Sequence, residues 1–499
     1  MAAVPAPLAL LLVVVGLVNC TWALLTPPGQ VPDEPNHIQY TQSIAERGAL
    51  PGHGKQTNST EENFAATATA WYNLPGFPLR KPPWTEAAYR AWQQQQAKLP
   101  HSARSDGGGY IWQGDNPPLY YAYEAGAYRL GEGGDFIDRL YLMRIASALL
   151  MLITATGAWL FAGEVFGRDR RLQLVAAAVA GLWPMATFVS SGVNPDAALY
   201  AFWSIAFWLG ARVFRRGLSV RDGVALGAVI GVATVEKSTS LALVPPLLLA
   251  LGVGWWRLRR SGTTTFGLHG RQVSTAAAVA ASLLAFAIPF GGWAAAATAT
   301  GRPITNQAPH YPGRKAPQLT SPKDVREFTS YLWQFYLPRL PFQQPMGLIG
   351  GGGGKALYYT WIQEGWGAFG WLEVKWPQSV YPWFAALSAL LVLGGAVGLA
   401  RSWRRGSLDL AMVAFYGLAV ASLLFILHWA EFSIMRLERI GFNQGRYLFP
   451  LLGLAGVIAA GCVSLLPRRR RALGAGVVLA ALVVYQLFSM GLVVERYFV

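Results

Sequence analysis

The sequence predicts an all-α integral membrane protein: about eleven transmembrane helices and two long extracytoplasmic loops carrying amphipathic helices. Three observations predict it. Hydrophobic residues make up 53% of the 499, and charged residues only 13%, about half the usual share for a soluble domain. Apolar runs of spanning length recur along the chain. The arginines are gathered between those runs on alternate connections.

The first apolar run, Val4 to Thr26, lacks a basic leading segment, and Asn19 stands where a lipoprotein signal carries Gly or Ala. It is long enough to cross a bilayer and is expected as a retained first helix. Further spans are expected at 140–163, 173–191, 197–214, 222–235, 238–256, 275–297, 380–400, 408–428, 447–466 and 472–493. The chain thus divides into an N-terminal membrane module (1–297) containing a long loop (27–138), a second long loop (298–379), and a C-terminal membrane module (380–499).

The connections 167–171, 211–221, 256–271, 401–405 and 467–471 together hold 18 Lys and Arg, whereas 27–138 holds 8 against 12 Asp and Glu. The positive-inside rule then puts the N-terminus in the cytoplasm and both long loops outside. It also requires an out-and-back turn near "VEKSTS" (235–240), between basic patches about 35 residues apart. The formal charge of +16 is therefore an orienting device, and nucleic acid is not an expected partner. Cys20 and Cys462 fall near opposite faces, which argues against a disulfide, and no Cys/His cluster suggests zinc or iron–sulfur binding.

In the outer loops, Thr85 is a plausible N-cap for a helix to about Lys98, and Ser321 for an amphipathic helix to about Tyr336. Such helices either lie at headgroup depth or pack between loops. "GGGGGK" (350–355) has Ile349 and Ala356 where a phosphate-binding P-loop needs Gly and Ser/Thr, so a flexible loop is expected. No G-x-G-x-x-G follows a strand pattern, and the sequon "NST" (58–60) reads as chance.

The chemistry collects at the outer ends of spans. "PPGQVPDEPNH" (27–37) carries Asp33, Glu34 and His37 just past the first helix. Adjacent carboxylates repel, so the pair calls for a cation or a proton. "GDNPPLYYAYEA" (114–125) offers Asp115, Asn116 and Tyr120; "SSGVNPDAALY" (190–200) offers Asn194 and Asp196; "NQGRYLFP" (443–450) offers Arg446. Lys237, costly at membrane depth without a partner, is open to two readings: an ion pair with Glu236, or an anion site. Acids and cations on one side suit a neutral nucleophile and an anionic leaving group. A carboxylate takes the hydroxyl proton while Arg or Lys stabilises a departing phosphate.

These motifs, with "FGW" (369–371) and in this order, resemble a bacterial family of predicted multi-span membrane proteins related to the GT-C glycosyltransferases. The "DE" after the first span is similar to that of protein O-mannosyltransferases and of the lipid A aminoarabinose transferase. The resemblance implies a GT-C-like bundle in a bacterial plasma membrane. It also implies an active face outside and a sugar donor on a polyprenyl phosphate. Carried over, Asp33 is the catalytic base and Glu34 its supporting acid, or a ligand with Asp115 if a divalent cation such as Mg or Mn is used. Arg446 and Lys237 meet the lipid phosphate, and His37, Asp115, Asn116, Tyr120 and Asp196 are candidate substrate contacts. The acceptor is a hydroxyl on a glycan, lipid or protein, and direct displacement at the anomeric carbon inverts it. The competing expectations are a transporter or flippase for a lipid-linked or anionic solute, and another polyprenyl-lipid enzyme such as a polymerase or ligase.

Overall fold

The computed structural model describes residues 4–499, except 53–57, 77–79, 109–112, 269–270, 306–315, 349–354 and 439–440. The glycine run Gly350–Gly354 lies outside the described residues. Hydrocarbon offers no partner for a peptide group, so a spanning chain must bond its backbone internally as helix. The helices are α1 (Ala6–Leu25), α2 (Glu34–Arg47), α3 (Thr60–Ala68), α4 (Glu86–Gln96), α5 (Leu119–Leu130), α6 (Phe136–Phe166), α7 (Arg170–Gly181), α8 (Pro184–Ser190) and α9 (Asp196–Arg216). Then come α10 (Val220–Glu236), α11 (Val244–Arg260), α12 (Thr275–Ala299) and α13 (Pro322–Tyr336), followed by two single turns, α14 (Lys355–Leu357) and α15 (Gly365–Gly367). These two flank a π-helical stretch, Tyr358–Glu364. The chain closes with α16 (Tyr381–Arg404), α17 (Leu410–Glu438), α18 (Leu452–Ser464) and α19 (Arg471–Tyr497). Extended structure among the described residues is confined to two small hairpins, β1–β2 (Thr265–Leu268 with Arg271–Ser274) and β3–β4 (Ala368–Phe369 with Val374–Lys375).

The protein is an all-α integral membrane protein. Among the described residues nine helices are long and apolar enough to cross a membrane, or ten when the bent pair α7–α8 counts as one. The expected span 173–191 is that pair, bent by 54°. Pro184 cannot donate to the preceding turn, so the helix breaks ahead of it and restarts with Pro at its first position. The expected span 222–235 is α10, whose 17 residues sit at the short end of what crosses a bilayer. The chain reverses where expected, through a 3-10 turn at Ser238–Leu243.

Burial ranks the helices. Of the apolar stretch of α9, 78% is buried, against none of that of α16, so α9 is central and α16 faces lipid. Every functional group delivered by the N-terminal end of α9 therefore arrives at the middle of the bundle. Both loop helices have the expected caps: Thr85 accepts from the Ala88 N–H at 3.1 Å, and Ser321 from the Asp324 N–H at 3.3 Å. The aromatic face of α13 turns to protein. Phe328, Tyr331 and Phe335 pack with Phe432 and His428 of α17, whose imidazole bonds the Tyr331 and Tyr336 hydroxyls at 2.8 and 2.7 Å. Both cysteines are free.

Candidate active site

The adjacent carboxylates Asp33 and Glu34 point to different partners. The turn after α1 needs Gly29, whose φ is +75° and whose Cβ would lie 2.6 Å from Trp71 Cγ. Asp33 then stands at the N-cap of α2 in the left-handed region, φ +62°, a conformation that Asp tolerates better than most residues. Its side chain caps nothing and extends outward, while Glu34, one residue on, is turned into the protein.

Glu34 is wholly buried against Arg144 of α6, with Nε to Oε1 at 2.7 Å and Nη2 to Oε2 at 2.6 Å. The Gly29 and Val193 N–H groups add bonds of 2.9 and 3.1 Å. Arg144 also donates to the carbonyls of Ala23, Thr26 and Pro27, at 3.0, 2.6 and 3.0 Å. It thereby satisfies the C-terminal end of α1. The sequence suggested a supporting acid or metal ligand; the geometry makes Glu34 a clamp joining α1, α6 and the segment before α9. Arg144 carried one signal in the sequence, as the second of two arginines in α6 and the one that borders its long apolar run.

Asp33 faces the other way. Its Oδ2 lies 2.5 Å from Arg446 Nη2, and its side chain is 36% exposed against 3% for Arg446. Arg446 Nη1 lies 4.0 Å from Asp196 Oδ2, and Asp196 Oδ1 binds Lys237 Nζ. The result is an alternating chain, Asp33–Arg446–Asp196–Lys237, drawn from four distant parts of the sequence. Of the two readings open for Lys237, the ion pair with Glu236 is not formed; its partner is Asp196. Burial pushes the Asp33 carboxyl up, but Arg446, joined by Lys237, outweighs it and holds it below its ordinary value. Arg446 is placed by the turn before α18. A Cβ on Gly445 would overlap the backbone of Glu364 and Gly365, so the turn lies flat on the end of the π-helix, and the Gly445 N–H donates to Glu364 Oε2 at 3.1 Å. Burial lifts the Glu364 carboxyl to about 7, against the opposing pull of that N–H, Lys375 and Arg446.

His37 is buried one turn into α2, its Nδ1 2.9 Å from the Tyr121 hydroxyl. The Asn116 amide donates to the same hydroxyl at 3.1 Å. Burial, helped by Lys237 and Arg446 and opposed by Asp33, depresses the imidazole to about 3, so it is neutral at physiological pH. Tyr121 stacks on Tyr40 at 3.7 Å between centroids. Of the expected contacts, Asp33, His37, Asp196, Lys237 and Arg446 come together, and Asn116 joins through Tyr121. Tyr120 does not: its hydroxyl is buried on Ser147 at 2.6 Å. Asp115 is half-buried in the turn before α5, and among the described residues no hydrogen bond or ion pair ties it to the cluster. No three His, Cys, Asp or Glu among the described residues gather as a metal site. With both Glu34 oxygens bonded to Arg144, the pair Glu34–Asp115 does not fit a divalent cation.

No curated protein matches the chain in sequence. Among solved structures it is similar to the apo oligosaccharyltransferase of Archaeoglobus fulgidus (TM-score 0.47, 13% identity, 98% of this chain and 56% of that one). It is similar to ArnT of Cupriavidus metallidurans bound to undecaprenyl phosphate (0.43, 15%, 98% and 69%). A third is the archaeal oligosaccharyltransferase AglB of Archaeoglobus fulgidus in complex with an inhibitory peptide and a dolichol-phosphate (0.49, 11%, 98% and 56%). The chain spans 56% of the length of the oligosaccharyltransferase chains. The model of a family described as a predicted membrane protein, DUF2142, matches residues 17–455, and the chain belongs to that family.

Proposed function

We propose that this protein is a membrane glycosyltransferase that moves a sugar from a polyprenyl-phosphate donor to an acceptor hydroxyl, on the extracytoplasmic face of a bacterial plasma membrane, with its N-terminus in the cytoplasm. The observation that carries the reading is the ionised, partly exposed Asp33 carboxylate set against the buried Arg446, with Lys237 one acid further on. A nucleotide donor is not available on that face, and a lipid-borne one is.

In this reading the donor phosphate enters beside Arg446 and Lys237. Two anions then share Arg446, and the guanidinium's hold on Asp33 weakens. The carboxylate, poorly basic while paired, becomes more basic as the donor arrives. Asp33 accepts the proton of the acceptor hydroxyl as its oxygen attacks the anomeric carbon. The bond from that carbon to the phosphate oxygen breaks on the opposite side, and the lipid phosphate leaves with its charge against Arg446 and Lys237. One displacement inverts the anomeric centre, with no covalent sugar–enzyme intermediate. Neutral His37 contributes no charge; with Asn116 donating to Tyr121 and Tyr121 to Nδ1, its proton sits on Nε2, suited to orienting a hydroxyl. Glu34 and Arg144 hold the loop that carries Asp33.

The decisive substitution is Asp33→Asn. Asn adopts the left-handed conformation readily, so the fold and expression stay as in the wild type, while transfer falls by roughly 10²–10⁴-fold, the usual contribution of a general base. Wild-type rates in that variant would remove Asp33 from the chemistry. Flux of a lipid-linked or anionic solute in sealed vesicles, with no covalent product, would favour a transporter instead.

A further inference from the structure

Beside the ion chain lies a set of buried polar atoms that have no hydrogen-bond partner among the described residues. Asp196 and Tyr200 stand one turn apart on α9, and the Asp196 Oδ2 and the Tyr200 hydroxyl lack hydrogen-bond partners. Glu236, at the end of α10, is 1% exposed, and neither of its oxygens is bonded. Arg446 Nε is likewise unbonded. The groups are neighbours: Glu236 feels Lys237 and Asp196, and Tyr200 feels Asp196, Arg446 and Glu236.

Buried polar atoms are almost always bonded, and leaving a carboxylate dry and unpartnered is costly. Four residues together in that state ask for an occupant. Its chemistry follows from the inventory: the Asp196 carboxylate oxygen that accepts, the Glu236 carboxyl with two oxygens, one guanidinium N–H that donates, and one phenol that donates or accepts. A phosphate offers acceptors alone and would be repelled by the Asp196 carboxylate. An ammonium offers donors alone and would meet Lys237 and Arg446. A polyol carries hydroxyls that give and receive, and Phe449, whose ring meets Tyr200 edge-on at 5.9 Å, adds an apolar face for the C–H side of a sugar.

We infer that Glu236 and Tyr200, with Asp196, bind the hydroxyls of the sugar carried by the lipid donor, beside the phosphate held by Arg446 and Lys237. The inference rests on the glycosyltransferase reading and adds to it the residues that select the sugar.

The experiment uses the full chain in lipid nanodiscs. Probes are undecaprenyl phosphate and undecaprenyl phosphate bearing glucose, mannose, galactose or arabinose. The variants are Tyr200→Phe and Glu236→Gln. Tyr200→Phe removes only an oxygen that bonds nothing among the described residues, so its thermal midpoint stays at the wild-type value and the folded state is secure. In the wild type, at least one sugar-bearing lipid binds more tightly than the bare lipid. Each variant weakens that lipid roughly tenfold, the loss of about one hydrogen bond, and leaves undecaprenyl phosphate unchanged. Unchanged binding of both lipid types, equal weakening of both, or a wild type that favours no sugar-bearing lipid would overturn the inference. Selective binding by the wild type without turnover on any acceptor would sink the transferase reading and leave the sugar subsite standing.

Discussion

Asp33 and Glu34 are neighbours in sequence and opposites in environment. The Glu34–Arg144 pair has side chains that are 0% exposed, and both carboxylate oxygens are doubly bonded, to Arg144 and to backbone N–H groups. Asp33 is partly open, and the chain it heads carries unbonded atoms on its two middle members, Arg446 and Asp196. A saturated ion pair has nothing left to offer a ligand and works as a fastener. An unsaturated one keeps capacity in reserve, the condition a binding site requires. The contrast matters more than the charge count, which is two acids and two cations in the open chain and one of each in the closed pair.

The comparison breaks hardest at Arg144. Arg144→Ala strands Glu34 in the interior and takes a donor from the carbonyls of Ala23, Thr26 and Pro27, of which Pro27 keeps the Gln30 N–H. The loss, about 3–5 kcal/mol for a broken buried pair, should appear as little or no monodisperse protein after detergent extraction. Arg144→Met with Glu34→Gln should recover much of it, because neither charge is then stranded; a double variant as unstable as the single one would mean that the clamp is not the ion pair.

Lys237→Ala comes next. It leaves the buried Asp196 with Arg446 4.0 Å away as its remaining cation. Donor KM should rise more than tenfold with a smaller change in kcat, measured with a lipid-linked sugar under steady-state conditions. An equal fall in kcat at constant KM would place Lys237 away from the phosphate.

A third comparison sets His37 against Glu364 in the pH profile. His37, depressed to about 3, stays neutral from pH 5 to 9 and contributes no inflection near its ordinary value. Glu364, raised to about 7, gains its charge as pH rises through neutrality. A new anion within reach of Arg446 competes with the donor phosphate, so donor KM should climb above pH 7. Glu364→Gln should flatten that limb. If the limb persists in Glu364→Gln and vanishes in a His37 variant, the two assignments are reversed.

The smallest effect belongs to the exposed pair Arg90–Glu86, with side chains 71% and 77% exposed. Glu86→Ala should alter stability by no more than about 1 kcal/mol and leave transfer untouched. It is the control for charge removal as such.

Much of this was legible in advance. The loop caps Thr85 and Ser321 are local chemistry, each reading a backbone N–H three residues on. The reversal near Lys237 follows from basic patches too close for anything but an out-and-back turn. The bend between α7 and α8 was present as Pro184 inside an apolar run and was read as a continuous span, because composition alone does not distinguish a straight helix from a broken one. Partner choice was not legible. Lys237 has Glu236 beside it in sequence and Asp196 41 residues away, and the fold selects the distant acid. Glu34 read as the supporting acid of Asp33, or a metal ligand, until Arg144, 110 residues on, claimed it.

Where the spans lie, where they end, and which of their ends carry polar groups was determined by the sequence itself. The bilayer enforces those features locally, residue by residue, through the need of every peptide group for a partner within its own helix. Which carboxylate is sealed and which is open was decided only by tertiary structure. Ion pairing is set by the separation of side chains across helices, and bonds such as Asp33 to Arg446, 413 residues apart, exist only once the helices have packed.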